Sequence, residues 1–203
     1  MFRYILSACL LSILTFSVSF SQTGQIAVEW NEQVLEAIRN DFARPTVHAR
    51  NLMHSSMIMY DCWAAYDTTS SEQYFLGNTI GSFTNVFDFE NFAPIIPSNS
   101  IDKMIAQEVS MSYGVYRLIK HRYMSSPQWS STLLNINAQM ASQGLDTLIV
   151  STDYLNDGPA ALGNYLAEQI IAFGMQDGAN EADDYASTCY TAVNPNILPE
   201  DPR

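Results

Sequence analysis

The stretch Pro45-Thr46-Val47-His48-Ala49-Arg50-Asn51-Leu52-Met53-His54-Ser55-Ser56-Met57-Ile58-Met59-Tyr60-Asp61-Cys62-Trp63-Ala64-Ala65-Tyr66 decides the fold. Pro45 suits the first turn of a helix, where its missing N–H removes no hydrogen bond. From Thr46 to Tyr66, apolar side chains surround the helical axis: Val47, Leu52, Met53, Met57, Ile58, Met59, Tyr60, Trp63, Ala64 and Ala65. A helix that is apolar all round is expected to be a buried central helix. It is long enough to cross a bilayer, but His48, Arg50, His54 and Asp61 argue against that.

The polar residues of this helix share a side. Arg50, Asp61 and His54 fall at about 200°, 220° and 240° from His48 on a 3.6-residue helix. Arg50 and His54 are i, i+4 neighbours, whereas Asp61 lies two turns beyond His54. Charges on such a helix must find partners, because an unpaired buried charge is neutralised or excluded. Arg50, His54 and Asp61 are therefore the candidate site. They form either a polar seam joining this helix to its neighbours or the lining of a cavity.

Upstream, Val28 to Phe42 is predicted as an amphipathic helix with Trp30, Val34, Leu35, Ile38 and Phe42 on its apolar stripe. Downstream, Asp67 to Pro97 lacks helical periodicity and reads as one long irregular loop, with turns at Gly77-Asn78 and Gly81-Ser82 and short strands near Thr79–Phe83. Ser98 or Ser100 is expected to cap a third helix reaching Met124, with Ile101, Met104, Ile105, Val109, Ser112, Val115, Tyr116 and Ile119 as its stripe. Ser126-Pro127 restarts a fourth helix to Gln143, closed by Gly144. After an extended connector from Leu145 to Tyr154, Pro159 opens a fifth through Phe173. Past Gly178 no periodicity returns, and residues 194–203 read as a proline-rich linker. The expected fold is all-α: a bundle of about five helices over residues 22–193, with one long irregular loop.

The 203 residues carry 21 Asp+Glu against 9 Lys+Arg, a formal charge of −12, and 47 % of them are apolar. That apolar share excludes wholesale disorder. The charge argues against a nucleic-acid partner, since a phosphate backbone demands a Lys/Arg surface. The three cysteines show no CxxC spacing, which excludes a zinc ribbon or a thioredoxin-type motif. Residues 1–21 read as a secretory signal: Arg3, an apolar run from Tyr4 to Phe20, then the small residues Ser19 and Ser21 at a cleavage site. The expected location is extracellular or periplasmic, with no membrane partner after cleavage. In that compartment Cys62 and Cys189 can pair, or Cys62 is simply a small buried hydrophobe.

Two further clusters have plain readings. Arg117, Lys120, His121 and Arg122 close the third helix, where cations complement the helix dipole. Asp177, Asn180, Glu181, Asp183 and Asp184 suit calcium chemically but miss the EF-hand spacing, and read as a solvated acidic loop. There is no GxSxG, HExxH, P-loop or GxGxxG motif.

Several co-ordered segments carry a resemblance. They are Trp30-Asn31-Glu32, Leu35-Glu36-Ala37-Ile38-Arg39, Arg44 to Leu52, His54, and Met59 to Tyr66. Further on come Ser151-Thr152-Asp153-Tyr154, Pro159 to Tyr165, Ile170 to Gly174, and Asp177-Gly178-Ala179-Asn180-Glu181. Together they resemble the N-terminal region of secreted bacterial vanadium-dependent haloperoxidase-like proteins. That fold superfamily includes type-2 phosphatidic-acid phosphatases and bacterial acid phosphatases. The resemblance implies an all-α bundle and an oxidoreductase that oxidises halide with peroxide. Its catalytic half grips vanadate, or phosphate in the relatives, through a Lys–Arg-Pro motif, a Pro-Ser-Gly-His motif and a later Arg…His motif. Arg44-Pro45 is the only Arg-Pro pair here, Ala37 stands seven residues before it in place of Lys, and no Gly-His pair exists. No catalytic, cofactor-binding or metal-binding residue carries over. The expectation is an N-terminal fragment of a longer enzyme, inactive alone and joined in cis to a catalytic half that holds the vanadate. A same-fold acid phosphatase-like protein and a stand-alone exported binding module, using the loop from Asp67 to Pro97, are the other open readings.

Overall fold

The structure is a computed structural model that describes residues 22–67, 69 and 72–187. The signal segment, the proline-rich linker and Cys189 lie outside the described residues. Helix α1 runs Gln22–Arg39 and α2 runs Pro45–Ala64. A two-stranded antiparallel hairpin follows, β1 (Thr79–Ile80) and β2 (Phe83–Thr84), with Ile80 opposite Phe83. A single turn, α3 (Phe89–Phe92), leads to the long helix α4 (Ser100–Tyr123), then α5 (Trp129–Ser142) and α6 (Gly158–Gly174). The described chain is thus all-α, with five long helices, as the hydrophobic periodicity predicts.

The boundaries differ in instructive ways. α1 begins before Val28, and Ile26 and Ala27 already pack against the core. It ends at Arg39 rather than Phe42, and Phe42 stands exposed. Asp41 turns its carboxylate inward to Arg44 at 3.1 Å and to the Ser126 hydroxyl at 2.8 Å, a side-chain alternative to continuing the helix. The cap of α4 is Asn99, whose Oδ1 accepts from the Asp102 N–H at 2.8 Å, not Ser98 or Ser100. α5 starts at Trp129, later than the Ser126-Pro127 signal.

The central helix is α4, not α2. It packs against α1, α2, α5 and α6, and Ser110 through Tyr116, with Leu118 and Ile119, are all buried. Each large apolar side chain buried this way contributes about 1.5–3 kcal/mol. α2 is not buried all round: Met53 is 47 % and Tyr60 43 % exposed among the described residues. Ile101 and Ile105 of the predicted α4 stripe are exposed too, and the buried side starts at Ala106.

Gly163 lets α6 approach α4, and Gly114 lets α2 approach it. A Cβ at Gly163 would overlap the Ser110 carbonyl, and one at Gly114 would overlap the Ile58 side chain. Trp30 of α1 closes the other side of α4, fully buried, with its Nε1 donating to Ser112 Oγ at 2.9 Å.

The segment from Asp67 to Pro97 is an organised excursion. Phe75 stacks on Phe83 at 5.7 Å, and both rings meet Phe173 of α6. Phe87 stacks on Tyr154 at 4.5 Å. Phe75, Phe87 and Phe92 are buried, so most of this aromatic run faces the bundle rather than solvent. Among the described residues no helix is long and apolar enough to cross a membrane.

Candidate functional site

α2 and α4 bring their basic residues to one place, and the segment after α6 supplies the acids. Arg50 Nε meets Asp177 Oδ2 at 2.5 Å, and its Nη2 meets both Glu181 Oε2 and the Gly174 carbonyl at 2.8 Å. From α4, Arg122 Nε lies 3.0 Å from Glu181 Oε1, and Nη1 donates to Asn51 Oδ1 at 3.0 Å. His121 Nε2 reaches the same Glu181 oxygen at 2.9 Å. Gly174 makes this possible, because a Cβ there would overlap both guanidinium groups.

His54 completes the cluster. Its Nδ1 lies 3.1 Å from Arg122 Nη2, and since a guanidinium only donates, Nδ1 accepts. The proton of the neutral ring therefore sits on Nε2, which faces Asp177 Oδ2 at 3.7 Å. Burial, reinforced by Arg122 and Arg50, holds the His54 pKa down at about 4 against the pull of Asp177 and Glu181. Burial works the other way on Glu181, but His121, Arg122 and Arg50 outweigh it and hold that carboxyl at about 2. The Glu181 side chain is only 7 % exposed. Two guanidinium charges thus face two carboxylates across a neutral imidazole.

The strap carrying these acids is unusually wound. Asn180, Asp184 and Tyr185 all have positive φ, at 58°, 47° and 62°. Left-handed residues cost about 1–2 kcal/mol when they carry a Cβ, so contacts must hold them. Asp184 pairs with Arg44 at 2.9 Å, and the Tyr185 ring lies 5.1 Å from the Arg44 guanidinium and 5.7 Å from that of Arg50.

Of the candidate residues, Arg50 and His54 belong to this cluster and Asp61 does not. Asp61 is fully buried elsewhere, accepting the N–H groups of Tyr74, Phe75 and Leu76, each at 2.7 Å. Burial pushes its carboxyl up, against those three bonds. It is the clamp that folds the start of the long loop onto α2. The acidic segment is not a solvated loop either: Asp177 and Glu181 are drawn in by Arg50, 127 and 131 residues away, and Glu181 also by Arg122, while Asp183 stays in solvent. The basic cluster of α4 splits. Arg122 and His121 go to Glu181, and Arg117 goes to Asn164 Oδ1 at 3.0 Å and the carbonyls of Thr147 and Ile149 at 3.0 and 2.6 Å. Helix-dipole complementarity alone does not describe it. Asn51 and Tyr185 carried no sequence signal.

Cys62 is fully buried and free, and burial pushes its thiol up, as for a small hydrophobe. Among the described residues no group of His, Cys, Asp and Glu is arranged to hold a metal ion. Vanadate, which the resemblance implies for the whole enzyme, does not fit the cluster. An oxyanion there would meet Asp177 and Glu181, which already occupy the faces of both guanidiniums. None of the family models, curated proteins or solved structures compared with the chain gives a match.

Proposed function

We propose that this chain is the N-terminal helical scaffold of an exported vanadium-dependent haloperoxidase-like enzyme, with the oxyanion-gripping residues on a further segment. One observation carries the reading. The two groups of resembling segments, Arg44 to Tyr66 and Ile170 to Glu181, meet through Arg50, whose guanidinium holds Asp177, Glu181 and the Gly174 carbonyl together. Residues far apart in sequence but joined by one charge-balanced knot are what a shared scaffold requires. The balance itself favours architecture over chemistry. Both nitrogens of His54 face groups of the cluster, and neither is open to a substrate.

In this reading the knot fixes the direction in which the chain leaves α6 toward residue 188. Vanadate then belongs to the segment beyond, and the scaffold packs against it. The nucleotides downstream of codon 203 test the reading. An open frame carrying the Lys–Arg-Pro, Pro-Ser-Gly-His and Arg…His motifs is expected. A stop codon directly after Arg203, or a downstream region without these motifs, overturns it.

A further inference from the structure

On the side of the bundle away from the hairpin, an open groove of about 560 Å³ lies between the end of α4, the start of α5, the connector and α6. Its apolar lining comes from Met124, Trp129, Val150 and Ile171. Met124 is 61 % and Val150 68 % exposed, so apolar surface here is open to water rather than tucked into the core. Pockets of a few hundred Å³ with apolar walls and a few placed polar groups are the usual form of small-molecule sites.

Outside this groove most cations of the described chain are paired, Lys103 being an exception. Arg39, Arg44, Arg50 and Arg122 each have a carboxylate partner. Arg117 and Lys120, both lining the groove, have none. They flank one ring: Arg117 Cζ and Lys120 Nζ each lie 5.3 Å from the centroid of Tyr116. His121 also lines the groove but is committed to Glu181, and the remaining lining charge is the single carboxylate of Glu168. In a chain of formal charge −12, two cations without a carboxylate partner among the described residues here border a groove with exposed apolar walls.

The wall is fixed in advance. Arg117 holds the Thr147 and Ile149 carbonyls, and Asn164 Nδ2 holds those of Ile149 and Ser151 at 3.1 and 3.0 Å. These bonds tie the connector to α4 and α6, and the Ile149 N–H closes a turn onto the Asp146 carbonyl at 3.3 Å. A wall held this way loses little entropy when a ligand binds.

We propose that this groove binds a small amphiphilic anion, an alkyl or aryl carboxylate. Its apolar part lies against Trp129, Met124, Val150 and Ile171, and its carboxylate is met by Lys120 and the free face of Arg117. The site adjoins the ion-pair knot through His121 but does not rest on the scaffold reading.

Titration of the purified chain with sodium decanoate below its micelle concentration tests this, followed by calorimetry and tryptophan fluorescence. Decanol and decyltrimethylammonium are the neutral and cationic controls. Saturable 1:1 binding of decanoate is expected, with a fluorescence change that Trp129→Phe removes. Lys120→Glu, on a solvent-reached side chain, should weaken binding about tenfold or more with an unchanged circular dichroism spectrum. No saturable binding of decanoate overturns the proposal. So does binding of decanol or decyltrimethylammonium as tight as that of decanoate, or a Lys120→Glu variant that binds decanoate as well as the parent.

Discussion

The carboxylate of Glu181 lies between Arg50 and Arg122, 2.8 Å from the first and 3.0 Å from the second, and so ties the end of the described chain to both α2 and α4. Removing it leaves two guanidiniums facing each other with only Asp177 to answer them. Breaking one side of a buried pair is far more damaging than the pair itself is stabilising. Glu181→Gln should therefore lower stability by about 2–4 kcal/mol in urea denaturation. An equal loss from Asp183→Asn, whose side chain pairs with nothing in the knot, would show that the effect is generic.

The same cluster sets a pH dependence. His54 titrates near 6.5 when unfolded and at about 4 when folded, so between those values the unfolded chain binds the extra proton. Stability then falls as the pH drops from 6.5 through 4, by about 1.4 kcal/mol per unit at its steepest. Glu181 adds a second loss, from its ordinary value of 4.5 down to about 2, as its stabilising charge is removed. His54→Gln should flatten the upper part of the profile and leave the lower part. Denaturation midpoints across pH 3–7, within the window these two groups define, provide the measurement.

Asp61 carries the loop rather than the cluster. Asp61→Asn puts an amide donor where Tyr74, Phe75 and Leu76 all present N–H groups. Leaving buried donors unpaired costs about 1–3 kcal/mol. Hydrogen exchange should accelerate at residues 74–76 well before it does in α4, and equal acceleration throughout would refute a local role.

How much of this was legible follows from distance along the chain. Arg50 and His54 share a helical face because 3.6-residue geometry puts them there, and the sequence shows it. Their partners, Asp177 and Glu181, sit more than a hundred residues away, and no local pattern marks an acidic loop as one that folds inward. Asp61 shares the angle but not the height. Two turns are about 10 Å of helix, enough to hand it to a different neighbour. The all-round apolar character of α2 also misled, because composition does not say which face a neighbour covers, and Met53 and Tyr60 stand exposed. The central role of α4 rests on its small residues Ser110 and Gly114, four apart and both against Gly163 of α6, a pairing that the apolar stripe does not mark.

That close approach gives its own prediction. Gly163→Ala would drive a methyl into the Ser110 carbonyl and the Gly114 backbone, neither of which can swing aside as a side chain does. Overpacking of this kind costs about 1–3 kcal/mol or more. A lowered melting temperature with unchanged helical content is expected, whereas Gly144→Ala, in open space but at φ +69°, should cost less.

In this proposal the Arg–His cluster of the chain is architecture, held by its own carboxylates. The decisive experiment is titration of orthovanadate into the purified chain at neutral pH, followed by calorimetry. No saturable uptake is expected. Stoichiometric capture of vanadate that is lost in Arg50→Gln or Arg122→Gln variants, with the fold retained by circular dichroism, would contradict it.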